Sequence, residues 1–218
     1  MSGFIYLHGF ASSPGSHKAT AFQKKFSTLN IPLIIPDLEG EDFQNITLTK
    51  QINIIEAIIE GSPETSFFLI GSSMGGYLAT LVAQLRVEIC GLYLMAPGFN
   101  FLKRWSDRLG YSAEGHDCFE ENISVYHYRY NEEKKLNKEI FRDAIRWENV
   151  GLDRELPCKI VHGIHDESIP VDQTREFVRQ HPWCELVELD SDHGLTSKVD
   201  WIISDCVDFI YDKGFNDD

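Results

Sequence analysis

The segment Phe67-Phe68-Leu69-Ile70-Gly71-Ser72-Ser73-Met74-Gly75-Gly76 restricts this chain more than any other. An apolar run enters Gly-x-Ser-x-Gly, and a helical pattern (Tyr77, Leu78, Leu81, Val82, Leu85) begins at once. A strand that turns sharply into a helix around a serine is a nucleophile elbow. The turn strains the backbone of its central residue and lifts the hydroxyl of Ser73 above the sheet edge. Gly71 and Gly75 are expected where any Cβ would collide with the folded-back strand and helix. Gly76 is expected to let the helix pack close to the sheet. The helix start also aims free N–H groups and a partial positive charge at whatever charge develops beside the serine.

The rest of the chain supplies the sheet this elbow needs. Short runs that are apolar on both faces, Phe4–Leu7, Leu33–Ile35, Phe67–Ile70, Leu92–Met95, Lys159–His162 and Glu185–Leu189, alternate with helical patterns. Helices are expected from Ser16 to Leu29, from Thr49 to Glu60, after Pro170, and from Thr196 to about Tyr211. That rhythm predicts an α/β fold of three layers with a mostly parallel sheet of about six strands. With 218 residues, one domain over 1–218 is expected. From Gly98 to Gly151 the rhythm fails although aromatic residues are dense, so a small, partly helical cap over 98–151 is expected. The tail from Gly214 is expected to fray.

Composition narrows the partners. A net charge of −14 argues against nucleic acid and anionic membrane surfaces, because phosphate binding needs clustered Lys and Arg. No apolar stretch reaches the roughly 20 residues that span a bilayer, so no membrane insertion is expected. The start of the chain runs into a strand with no basic leader. The five cysteines (Cys90, Cys118, Cys158, Cys184, Cys206) are odd in number and lack Cys-x-x-Cys spacing, which favours a reducing, cytoplasmic setting.

A serine hydroxyl needs a base to take its proton, and the base needs an orienting acid. The strand Lys159–His162 runs into a turn ending at Asp166, and Glu185–Leu189 runs into Asp190-Ser191-Asp192-His193-Gly194. The order Ser73, Asp166, His193 therefore predicts a catalytic triad. Glu167 and Asp37 stand as alternative acids, and His162 and His165 as alternative bases. His162 would be buried on its strand, and His165 is too close to Asp166 along the chain. For the oxyanion hole, the N–H of Met74 follows the nucleophile, and the loop Leu7-His8-Gly9-Phe10 supplies the N–H of Phe10. His8 is expected to shape that loop by hydrogen bonding. Trp105, Tyr126 and Tyr128 are candidate substrate-binding residues in the cap. Lys103, Arg104 and Arg108 at its start read first as a solvated helix face, second as an attraction for an acidic substrate. The histidine spacing suits no metal site.

These residues resemble the α/β-hydrolase superfamily over nearly the whole chain, and most closely the small bacterial YqiA/YcfP-like esterases. The stretch Tyr6-Leu7-His8-Gly9-Phe10-Ala11-Ser12-Ser13-Pro14-Gly15-Ser16-His17-Lys18-Ala19 carries the family-specific part, and Gly71-Ser72-Ser73-Met74-Gly75-Gly76-Tyr77 is shared across the superfamily. The resemblance implies a carboxylic-ester hydrolase with Ser73, Asp166 and His193 as the triad and no cofactor, and the leading expectation is a serine hydrolase that takes small or medium acyl esters through an acyl-enzyme. The two antiparallel strands that open larger members are missing, so a trimmed sheet is expected. An acyl thioesterase and a non-catalytic ligand-binding protein are the alternative functions, because fold likeness does not fix a substrate.

Overall fold

The computed structural model describes residues 2–110 and 120–215. Six strands form one parallel sheet: β1 (Gly3–Leu7), β2 (Leu33–Ile34), β3 (Phe67–Ser72), β4 (Ile89–Met95), β7 (Cys158–Gly163) and β8 (Cys184–Leu189), in the order β2-β1-β3-β4-β7-β8. The helices are α1 (His17–Thr28), α2 (Leu48–Gly61), α3 (Met74–Leu85), α4 (Phe101–Leu109), α5 (Glu139–Ala144), α6 (Val171–Gln180) and α7 (Val199–Asp212). A 3₁₀ turn, Thr196–Lys198, opens the last helical segment.

The alternation of side chains along each strand builds two cores. Ile5, Leu7, Phe67, Leu69, Leu92 and Leu94 face the side of α2 and α3, where Phe177 and Val178 of α6 also pack. Phe4, Tyr6, Phe68, Ile70, Tyr93 and Met95 face α1 and α7. Both faces are therefore covered, as uninterrupted apolar strands require. Ser16 caps α1 by accepting from the N–H of Ala19, and Thr47 caps α2 by accepting from Lys50.

The chain runs outward from β1 to β2 and returns on the other side of β1 to β3. The strand order reverses there, so the loops after β1 and β3 diverge and open a crevice at the carboxyl ends of the strands. Ligands bind at such switch points in open α/β sheets.

Between β4 and β7 the segment combines helices with strands. Beside α4 and α5 it holds an antiparallel hairpin, β5 (Asn122–His127) and β6 (Glu132–Asn137), turning near Asn131 at a φ of +56°. In β5 the buried Ile123, Val125 and His127 alternate with exposed Ser124 and Tyr126. In β6 only Leu136 is buried, so its polar sequence gave no strand signal. Phe101, Trp105 and Phe141 pack ring to ring and join the α2–α3 core. Tyr111, Cys118 and Phe119 lie outside the described residues.

The hairpin is tied to the loop after β1. Tyr128 N–H donates to the Ala11 carbonyl at 3.0 Å, and His127 Nε2 lies 2.7 Å from Glu39 Oε2 with both side chains buried. Glu39 Oε1 accepts in turn from Ser12 N–H at 3.1 Å. The expected fraying fails at Phe215, whose ring packs 5.0 Å from Phe68; residues 216–218 lie outside the described residues. Among the described residues no helix is long and apolar enough to cross a membrane.

Candidate active site

Ser73 follows β3 directly and precedes α3 with φ 53° and ψ −118°, the left-handed side of backbone space that a residue with a Cβ rarely adopts. Such a residue costs on the order of 1–3 kcal/mol and persists only where its surroundings over-determine it. Here they do. Ser73 N–H donates to Met95 O at 2.9 Å, and its carbonyl accepts from Gly76, Tyr77 and Gly98 N–H groups at 2.9, 3.2 and 2.8 Å. The glycines act by close approach: a Cβ at Gly71 would lie 2.5 Å from Gly75 O, and one at Gly75 only 2.1 Å from Leu7 O.

The loops after β7 and β8 bring the other two predicted residues to this serine. His193 Nε2 lies 3.1 Å from Ser73 Oγ, and His193 Nδ1 lies 2.6 Å from Asp166 Oδ2. A carboxylate accepts only, so Nδ1 carries the proton and Nε2 offers its lone pair to the serine hydroxyl. The Asp166 side chain is fully buried. Burial opposes its charge, but hydrogen bonds from His162, His193 and Ile169 N–H outweigh that penalty and hold the carboxyl well below the usual range.

His162 adds a contact that strand burial alone does not foretell. Its Nε2 lies 3.1 Å from Asp166 Oδ2 and 2.9 Å from Ile169 O, and its Nδ1 lies 2.8 Å from Thr174 Oγ1. Two acceptors on one side fix the proton on Nε2. Asp166 Oδ1 accepts from Ser168 and Ile169 N–H at 2.9 and 2.7 Å. Lys18 was also missed. From α1 its Nζ donates to Gly194 O at 2.8 Å, beside His193. Burial lowers its pKa to about 8, against the pull of Asp166 and Asp192.

The other sequence candidates lie elsewhere. Asp37 pairs with Arg129 at 2.5 Å, and His165 pairs with Asp190 at 2.9 Å in an exposed contact. Glu167 borders the cavity but holds neither histidine of the site. His8 is buried; Nδ1–H donates to Gly9 O at 2.9 Å while Nε2 accepts from Leu38 N–H at 3.1 Å. Both bonds together need the neutral ring, in keeping with a pKa that burial pushes down.

The loop after β1 presses on the nucleophile: a Cβ at Gly9 would lie 3.4 Å from Ser73 Cβ and 4.0 Å from its Oγ. Met74 opens α3, so its N–H has no intrahelical acceptor. Neither Phe10 N–H nor Met74 N–H has an acceptor among the described residues. Phe10 and Met74 border a cavity of about 680 Å³ together with Ser73, His193, Trp105 and Tyr128. Tyr126 does not line it. Strand alternation turns that side chain to the exposed face of the hairpin, where its hydroxyl meets Asn131. Lys103 is likewise exposed and pairs with Asp107, whereas Arg104 is partly buried and Arg108 exposed, and both border the cavity.

Solved structures share this architecture. Est1E from Butyrivibrio proteoclasticus, with ferulic acid bound, superposes at a TM-score of 0.79 with 21% identity over 97% of this chain and 90% of that one. Alpha/beta hydrolase domain-containing protein 10 from mouse gives 0.80 with 18% identity over 97% and 90%. The fold is thus the α/β-hydrolase fold. "Putative esterase/lipase 2" of Mycoplasma genitalium is 35% identical over 100 residues, 43% of this chain, and the chain spans 37% of that relative's length. A family model described as "Uncharacterised protein family (UPF0227)" matches residues 3–210, almost all of the ordered sheet and its helices, and the chain belongs to that family.

Proposed function

We propose that this protein is a serine hydrolase of carboxylic esters. The observation that carries the reading is the unbroken chain Ser73 Oγ–His193 Nε2 at 3.1 Å and His193 Nδ1–Asp166 Oδ2 at 2.6 Å, at the edge of a cavity. Ser73 Oγ attacks the ester carbonyl carbon while His193 Nε2 takes its proton. The N–H groups of Phe10 and Met74 stabilise the oxyanion of the tetrahedral intermediate. Collapse breaks the bond to the leaving oxygen, which takes the proton from His193, and leaves the acyl group on Ser73. Water then repeats the sequence: His193 takes a proton from it as its oxygen bonds to the acyl carbon, and collapse breaks the bond to Ser73 Oγ, which takes that proton back from His193 and releases the free acid. Asp166 holds the imidazole tautomer and offsets its positive charge throughout.

The names of the Mycoplasma relative and of the Butyrivibrio structure agree with ester chemistry. The free thiols of Cys90, Cys158, Cys184 and Cys206 support the cytoplasmic setting that goes with this reading. Turnover of p-nitrophenyl butyrate tests it. The expected result is hydrolysis that falls by roughly 10⁴-fold or more in Ser73→Ala. Undiminished turnover by that variant overturns the assignment.

A further inference from the structure

Arg104 and Arg108 stand four residues apart on α4, so their side chains share one helix face. That face borders the Ser73 cavity. Arg104 is partly buried; its Nε donates to Phe99 O at 2.8 Å and its Nη2 to Gly98 O at 3.0 Å. These bonds use one edge of the guanidinium fork, and Nη1 has no acceptor among the described residues. Arg108 lies over the Trp105 ring, 5.3 Å from its centroid.

Neither arginine has a carboxylate partner among the described residues. Arg86, Arg129, Arg175 and Arg179 elsewhere in the chain are each held in ion pairs. Burial lowers the pKa of Arg104 to about 10, although Asp166, Glu148 and Tyr77 act against that shift. A desolvated cation without a counter-ion destabilises the folded state, and a bound anion would relieve it. Among the described residues no acid nearby forms an ion pair with Arg104: Asp107 is paired with Lys103 at 2.6 Å, Glu167 is exposed at the rim, and Glu148 accepts from Leu102 N–H at 3.4 Å. Asp166 is taken up by two histidines. With Asp107 and Glu167 on the cavity wall, one negative charge is accommodated more readily than two. The same cavity is lined by the aromatic residues Phe10, Phe101 and Trp105.

We propose that the substrate is an ester bearing a carboxylate, gripped by the free edge of Arg104 with Arg108 beside it while the ester carbonyl lies at Ser73. The planar fork of Arg104 matches a carboxylate geometrically, and the apolar portion between the two groups rests on the aromatic wall. This inference rests on the serine hydrolase reading and specifies its substrate class.

Two ester pairs test it at constant ionic strength. In one the carboxylate is on the acyl side, mono-p-nitrophenyl adipate against p-nitrophenyl heptanoate. In the other it is on the alcohol side, 4-carboxyphenyl butyrate against phenyl butyrate. The readout is the kcat/KM ratio of anionic to neutral ester, compared between wild type, Arg104→Gln and Arg108→Gln, which cancels intrinsic reactivity. The ratio for at least one pair should fall roughly tenfold to a hundredfold in Arg104→Gln and severalfold in Arg108→Gln. Arg104 also braces the carbonyls beside the elbow, so its variant risks misfolding. Arg108→Gln changes an exposed side chain and keeps the test decisive. If both ratios are unchanged in Arg108→Gln and in any folded Arg104→Gln, while neutral esters are still turned over through Ser73, the inference falls and the hydrolase reading stands. If no ester of either kind is turned over through Ser73, both fall.

Discussion

Replacing His162 by leucine isolates a contact that the triad alone does not explain. The ring is wholly buried and meets Thr174 Oγ1, Ile169 O and Asp166 Oδ2 at 2.8, 2.9 and 3.1 Å. Thr174 can rotate its hydroxyl toward a backbone carbonyl, so two acceptors are left short of a donor. Each buried group deprived of its partner costs roughly 1–3 kcal/mol, giving about 2–6 kcal/mol for the two. That is a large share of the roughly 5–15 kcal/mol by which a domain is stable. Asp166 keeps His193 and the Ser168 and Ile169 N–H donors, so its carboxylate stays in place but is held less firmly. Looser orientation of the base should lower kcat by about tenfold, against roughly 10⁴-fold for Asp166→Asn, which spoils the tautomer. Urea denaturation and steady-state ester hydrolysis measure the two effects on the same preparation. There is a pH signature as well. The folded carboxyl of Asp166 lies below its unfolded value, so its ionisation stabilises the fold fully above the ordinary Asp pKa of 3.8, and that contribution is lost as pH falls from there toward the lower folded value. The acid-side loss of stability should shrink in His162→Leu. A variant within about 0.5 kcal/mol of wild type, with unchanged kcat, would refute the reasoning, since surface-like indifference is what a dispensable contact gives.

Other perturbations reach different parts of the account. In Gly75→Ala the new methyl would meet Leu7 O at 2.1 Å, so α3 must shift from β1; stability should fall by about 3 kcal/mol or more, with hydrolysis abolished, as thermal melts and assays would show. Burial pushes the Glu39 carboxyl up to about 8 from 4.5, so its contribution to stability is present below 4.5 and lost as pH rises through 8. Wild type should therefore lose stability relative to Glu39→Gln between pH 5 and 9 by urea titration, and a constant difference would contradict the assignment. Lys18 has the opposite sign: its pKa of about 8 lies below the ordinary 10.5, so wild type should gain stability relative to Lys18→Met as pH rises between those values. The same variant should slow ester hydrolysis, because the anchor on Gly194 O is gone.

Much of this arrangement was legible in the chain itself. Apolar runs of strand length, each followed by a turn and a helical pattern, gave six strands within a few residues of their positions, because doubly covered strands cannot hide polar residues. Gly71 and Gly75 marked the elbow for a reason the contacts bear out, since no Cβ fits at either place. The hairpin was illegible for the opposite reason. Glu132–Asn137 buries little beyond Leu136, and an exposed strand needs no apolar pattern. Tyr126 was misread because composition says nothing of which side of a strand a residue faces. His162 and Lys18 reach the site from residues that are distant in chain or in the strand interior, and only the convergence of loops after β7 and β8 with α1 reveals them. The direction of Arg104 and Arg108 was similarly undetermined, because a helix pattern fixes a face and not what lies opposite it.

The central claim is that Ser73 is made nucleophilic by His193, and intact-protein mass spectrometry after exposure to a fluorophosphonate reads it directly. One phosphonyl adduct per chain is expected, on the peptide containing Ser73, absent in Ser73→Ala and formed far more slowly in His193→Ala. A wild-type protein that stays unlabelled, or a label that survives the loss of Ser73, would contradict the account.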